Sequence, residues 1–158
     1  MGSGTPPHLE IKMDEYEKFV KEMHEKYPTM FSHPYGGICI GDGWYQIIRS
    51  LCHNIQEHIN SVDCARTNLV LRNPWNRPIP EQVPQVIVTQ IKEKFGGLRF
   101  YYDGGDDMVE GMVNMAESWA AHTCETCGSP GVNRSIRGWF TTLCDVHYNE
   151  RIEKFKGE

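Results

Sequence analysis

The stretch Cys124-Glu-Thr-Cys127, followed after a gap by Leu143-Cys144-Asp-Val-His147, sets out two pairs of metal-ligand residue types, with two residues between the members of each pair. Sixteen residues, 128 to 143, part the inner members. A C-x-x-C turn lets two thiolates reach one ion, and a second pair from elsewhere closes a tetrahedron that neither pair closes alone. The spacing predicts one structural Zn2+ per chain, held by Cys124, Cys127, Cys144 and His147. Three cysteines and a histidine leave no position for water, which a catalytic zinc keeps. Free or oxidised cysteines, or an iron–sulfur cluster, are the other readings of the same residues. Gly128, Pro130 and Gly131 set a tight turn beyond the first pair, where glycine permits positive φ. Residues 137–142 (Arg-Gly-Trp-Phe-Thr-Thr) read as a short strand. Residues 144–155 read as a helix, with Val146 or Tyr148, Ile152 and Phe155 near helical spacing. Knuckle, hairpin and ligand-bearing helix together predict a treble-clef-like module over 124–158.

Upstream, Val109, Met112, Val113, Ala116, Trp119 and Ala120 predict an amphipathic helix that feeds the first ligand pair through His122, a candidate outer or alternative ligand. The acidic run 103–107 (Asp-Gly-Gly-Asp-Asp) does not match an EF-hand loop, and Asp106 or Asp107 reads more simply as a helix cap than as a Mg2+ or Ca2+ ligand. Before it, 85–95 alternates as a strand with Ile87, Thr89, Ile91, Glu93 and Phe95 on one side. Gly96-Gly97 reads as a two-residue turn, and 98–102 as the returning strand.

Residues 61–84 read as a long irregular loop punctuated by Pro74, Pro78, Pro80 and Pro84. Its Arg66, Arg72, Arg77 and Trp75 make it either a contact surface or an insert with Trp75 tucked onto the core. Trp44, Ile47, Ile48, Leu51, Ile55 and Ile59 mark the buried stripe of a second helix, with Asp42 as its expected cap. The glycine-rich 36–43 lacks a P-loop lysine and the dinucleotide-binding spacing. A first helix runs from Met13 to Tyr27 and stops at Pro28. Residues 1–12 read as an appended leader, with Met13 as the native start. The expected architecture is therefore α+β: a core of three helices and a β-hairpin over 13–123, with the C-terminal zinc module packed on it.

A net charge of −5 argues against phosphate binding by the whole surface. Six cysteines without a secretory apolar segment suit metal in a reducing compartment better than disulfides. No apolar run is long enough to cross a membrane.

The strings Gly41-Asp-Gly-Trp-Tyr-Gln-Ile-Ile48 with Leu51-Cys52, Val88-Thr-Gln-Ile-Lys-Glu-Lys-Phe-Gly-Gly-Leu-Arg-Phe-Tyr-Tyr-Asp103, Ala116-Glu-Ser118, Thr123-Cys-Glu-Thr-Cys-Gly-Ser-Pro-Gly131, Gly138-Trp139 and Thr142-Leu-Cys-Asp-Val-His147 cover most of residues 28–150. Through them the chain resembles a group of small proteins encoded by bacteriophages and bacterial genomes, for which no activity is established. The resemblance implies a phage-type origin, a zinc-ribbon-like end and residence in the cytoplasm of a bacterial host. By analogy with phage accessory proteins of this size, it also implies a host or defence protein as partner.

Three functional readings follow. The first is a zinc-stabilised interaction protein without chemistry of its own, since no Ser-His-Asp order, Walker A or HExxH is present. The second is a nucleic-acid binder using the inter-ligand loop, where Arg134, Arg137, Trp139 and Phe140 stand without an acidic residue. Against it, residues 84–158 hold eight Lys or Arg and eleven Asp or Glu. The third is a small enzyme with Asp42, Glu93, Arg99, Asp103 and Asp106 converging near the hairpin. Candidate partner-binding residues are Arg134, Arg137, Trp139, Phe140 and Trp75.

Overall fold

A computed structural model describes residues 13–158; the expected leader, 1–12, lies outside the described residues. Helix α1 (Glu15–Lys26) opens on a reciprocal cap. The Asp14 carboxylate accepts the Glu17 N–H at 2.7 Å, and the Glu17 carboxylate accepts the Asp14 N–H at 3.2 Å. Its buried face is Phe19 and Met23.

A strand that the glycine-rich segment had not suggested, β1 (Gly37–Cys39), pairs in parallel with β2 (Ile87–Lys94), and β2 pairs antiparallel with β3 (Gly97–Asp103). Three residues of strand are too few for alternation to register. Between Val88 and Gln90 the register shifts by one residue, so Thr89 is a bulge. The bulge exchanges the faces: Val88 and Ile91, not Ile87, Thr89 and Ile91, point into the core. The turn also moves. Lys94 pairs with Gly97, so the two turn residues are Phe95 and Gly96, with φ of 53° and 78°. Positive φ at both central positions is the type I′ pattern that matches the twist of the strands.

Helix α2 (Tyr45–Leu71) follows a short 3-10 turn, Asp42–Trp44. The expected stripe from Trp44 to Ile59 is buried. The helix then continues through 60–71, which the sequence suggested was loop. No proline or glycine interrupts 45–73, and only the burial pattern fades there, with Val70 and Leu71 exposed. The irregular segment is confined to 72–86, and Trp75 is 78% exposed rather than tucked onto the core. Asp42 does not cap α2, whose first turn has no side-chain cap.

Helix α3 (Asp107–Ala120) starts where expected, with the Asp106 carboxylate accepting the Val109 N–H at 3.1 Å. Val109, Val113, Ala116 and Ala120 are buried, whereas Trp119 lies outside that face, half exposed. The C-terminal elements are β4 (Val132–Ile136), β5 (Trp139–Leu143) and α4 (Asp145–Lys156). Arg137 is not in a strand. With Gly138 it forms a second turn of positive φ, 49° and 84°. Tyr148, Ile152 and Phe155 of α4 pack on Cys124, Ile136 and Leu143, a small apolar cluster beside the main one formed by α1, α2, α3 and the three-stranded sheet. Val146 is exposed.

Candidate metal centre and the surface beside it

Cys124 and Cys127 come from the turn after α3, Cys144 from the end of β5, and His147 from the first turn of α4. One donor atom from each lies within 4.8 Å of all the others. The Cys127 and Cys144 sulfurs are 3.9 Å apart, and His147 Nδ1 lies 3.7 Å from Cys124 Sγ and 3.2 Å from Cys144 Sγ. Four donors at about 2.0–2.3 Å from one ion stand about 3.5–3.8 Å apart along the edges of a tetrahedron. The 3.7 and 3.9 Å separations lie close to those edges, and the 3.2 Å one is shorter. The other ring nitrogen of His147 faces a Glu150 carboxylate oxygen at 3.9 Å.

The surroundings favour the anion at two of the three sulfurs. Burial pushes the Cys124 thiol up, but the backbone N–H groups of Cys144, Thr126 and Cys127 outweigh it and hold the thiol below its ordinary value. The Ser129 hydroxyl and N–H lower Cys127. At Cys144 the N–H of His147 lowers the thiol, yet burial and the two neighbouring sulfurs outweigh that and raise it. Three crowded sulfurs resist full ionisation until a cation stands among them. Soft thiolates and an imidazole form a donor set for a transition-series ion, and with four protein donors the group suits a structural one. Among the described residues no other group of three or more His, Cys, Asp or Glu side chains comes together in this way. His122 turns its Nδ1 to the Ser118 carbonyl at 3.0 Å and stays outside the group.

Part of the framework was missed in the sequence: the Gly41–Trp44 loop clasps the knuckle. The Gly43 N–H donates to the Glu125 carbonyl at 2.9 Å, and the Trp44 indole donates to the Thr123 carbonyl at 2.9 Å. A Cβ on Gly43 would stand 2.0 Å from the Cys124 carbonyl oxygen, so only glycine permits the approach. Burial, with the Asp42 carboxylate beside it, pushes the Tyr45 phenol up to about 12. On the other side the β2–β3 turn docks on the second hairpin. The Thr142 hydroxyl donates to the Gly96 carbonyl at 2.6 Å, and the Asn133 amide to the Phe95 carbonyl at 3.2 Å. Glu125, within the knuckle, accepts from Thr141 Oγ1 at 2.7 Å and Arg151 at 3.4 Å.

The arginines proposed for contact are engaged by groups of the C-terminal elements themselves. Arg134 donates to the Leu143 carbonyl at 3.2 Å, pairs with Asp145 and covers the Tyr148 ring at 4.5 Å. Arg137 donates to the Phe155 carbonyl at 2.8 Å and stacks on the Phe155 ring at 4.7 Å. The aromatic residues behave oppositely. Trp139 is 79% and Phe140 50% exposed. With Phe95, 72% exposed on the other turn, and with Glu93 and Gly138, they line a cavity of about 290 Å³. Trp75 does not line this cavity.

Of the polar residues of the enzyme reading, Asp106, Glu93 and Arg99 are engaged separately. Asp106 pairs with His58 at 2.9 Å beside α3, Glu93 stands at the hairpin tip, and Arg99 bonds the Leu98 carbonyl at 2.8 Å. Of the remaining cysteines, Cys39 and Cys64 are exposed, whereas Cys52 is buried and its thiol is pushed up to about 12.

No protein-family model, curated protein or solved structure matches the chain. No helix among the described residues is long and apolar enough to cross a membrane.

Proposed function

We propose that the chain is a zinc-stabilised interaction protein that docks a protein partner on the aromatic tips of its two hairpins and performs no chemistry of its own. The observation that carries this reading is the exposure of Phe95, Trp139 and Phe140 around one cavity, with the β2–β3 turn that bears Phe95 braced against the second hairpin. Exposed aromatic residues that gather on a rigid support resemble the anchors of protein interfaces. Zinc is the ion of choice because three sulfurs and one nitrogen match its closed structural sites, and the order of knuckle, hairpin and helix is read as treble-clef-like. The nucleic-acid reading has less support, since both of its arginines are bonded to backbone carbonyls and stacked on aromatic rings of the same chain. Thiolate ligands suit a reducing cytoplasm. A bacterial host or defence protein as partner rests on the resemblance alone.

Native mass spectrometry tests the metal: one zinc per chain, lost in Cys127→Ser and His147→Ala. A triple variant, Phe95→Ser with Trp139→Ser and Phe140→Ser, tests the surface. It is expected to keep its zinc and lose the bacterial protein that the unaltered chain retains on a column. A partner held equally by the triple variant would overturn the reading.

A further inference from the structure

We infer that the cavity between the hairpin tips is a seat for a guanidinium group, so that the partner enters it with an arginine side chain. The inference rests on the proposed docking role of the tips and names the chemistry they select.

Phe95 is the first ground. A bulky L-residue in the left-handed region is strained, and asparagine or glycine is the usual occupant of that turn position. Phe95 sits there at φ 53° and still leaves its ring in solvent. Neither local conformation nor burial accounts for it, and strain of this kind is characteristic of functional positions. Arg137 holds the equivalent strained position in the other turn, but its side chain is tied to Phe155.

Glu93 is the second. It lines the cavity with the three rings, and among the described residues it forms no ion pair. One of its oxygens accepts the Gly96 N–H, and a carboxylate can accept further donors at both oxygens. None of the nearby cations pairs with Glu93. Lys92 leaves β2 on the face opposite Glu93, whereas the Lys94 ammonium lies over the Phe95 ring, 5.9 Å from its centre, an exposed contact that an entering guanidinium would replace. Arg99 bonds the Leu98 carbonyl, Arg137 is turned to Phe155, and Arg151 serves Glu125. Aromatic faces beside an unpaired carboxylate attract a cation. A guanidinium suits them better than an ammonium, because it is flat, weakly hydrated and able to stack while donating to the carboxylate.

The Gly96 contacts hold this site in place before any partner arrives. A Cβ on Gly96 would lie 2.3 Å from the Asn133 amide nitrogen and 3.0 Å from the Thr141 nitrogen, so the β2–β3 turn is fixed against the body of the second hairpin.

The test follows the indole N–H resonance of Trp139 by NMR, assigned with Trp139→Phe, while acetylated and amidated Gly-Gly-Arg-Gly-Gly is titrated into the zinc-loaded chain. Peptides with lysine or citrulline in the central position are run beside it. Saturable movement of the Trp139 signal by the arginine peptide is expected, with binding roughly ten-fold weaker for citrulline and for Glu93→Gln. That variant keeps an oxygen for the Gly96 N–H, and an unmoved signal from the buried Trp44 indole confirms its fold. No movement of Trp139, equal binding of citrulline, an equal or stronger response to lysine, or indifference to Glu93→Gln would each overturn the assignment. The docking role is judged separately with immobilised chain. A partner lost on Trp139→Ser but kept on Glu93→Gln leaves docking intact and removes the guanidinium seat, whereas a partner kept on both removes the two together.

Discussion

At Gly43 and Trp44 a few atoms decide whether the two apolar clusters fit together. The Cβ of Gly43→Ala would meet the Cys124 carbonyl oxygen at 2.0 Å, a backbone clash that no rotamer relieves. The variant is expected to lose about 2 kcal/mol, the cost of forcing atoms into a filled site, as read from urea denaturation with zinc present. An unchanged midpoint would mean that the loop can withdraw from the knuckle at no cost. Trp44→Phe keeps the ring but leaves the buried Thr123 carbonyl without its donor, which is expected to cost about 1–3 kcal/mol. The sequence marked Trp44 as the start of a buried stripe, because its period is local. Its bond to Thr123 and the closeness of Gly43 to Cys124 join segments about eighty residues apart, and no local pattern reports such a meeting.

Among the elements, the hairpins show how turn chemistry and function compete. Phe95→Asn places a residue that accepts positive φ in a type I′ turn ending in Gly96. It is expected to stabilise the chain by about 1 kcal/mol, seen as a higher urea midpoint. A loss of stability would show that the Phe95 ring supports the fold. The turn was read one residue late because two adjacent glycines outweighed an aromatic residue, and the Thr89 bulge moved the faces because an extra residue leaves no mark in a run of Val, Thr and Gln. Helix α2 escaped full recognition where burial stops, since its last turns have little to pack against.

Between α1 and α2, Arg49 forks onto both Glu22 oxygens at 3.0–3.1 Å and covers the Phe19 ring at 5.3 Å. The Arg49 hydrogen bonds hold the Glu22 carboxyl below its ordinary 4.5. A depressed carboxylate contributes stability that is fully present above about pH 4.5 and is lost as the pH falls through the lower folded value. Arg49→Met keeps the apolar stem and removes the charge. It is expected to cost about 0.5–1 kcal/mol at pH 7, a value kept small because Arg49 is more than a third exposed. The gap between variant and parent should close as pH drops below 4.5; a gap independent of pH would assign the effect to packing over Phe19.

For the whole molecule, the grouping of Cys124, Cys127, Cys144 and His147, the α+β class and most of the buried helix positions were legible, because C-x-x-C spacing and helical period are properties of short windows. The paired tips were not, because they arise where two hairpins from different parts of the chain meet. Removing the metal with a chelator should reach beyond the C-terminal cluster. Hydrogen–deuterium exchange is expected to show lost protection across residues 124–158 and at the Gly43 amide, whose acceptor is the Glu125 carbonyl. The amides of α3 around Val113 should stay protected by the main core. Protection of 124–158 that survives chelation would show that the small cluster stands without an ion.

The clasp also imposes an order on synthesis. Residues 41–44 leave the ribosome long before their acceptors at Thr123 and Glu125 are made, a separation of 79 positions for the Trp44 bond. Until the last third emerges, the nascent chain carries an indole N–H and a glycine-lined notch with nothing to receive. The Gly41–Trp44 loop waits for the knuckle, and a chain released before Thr123 would carry that notch unfilled.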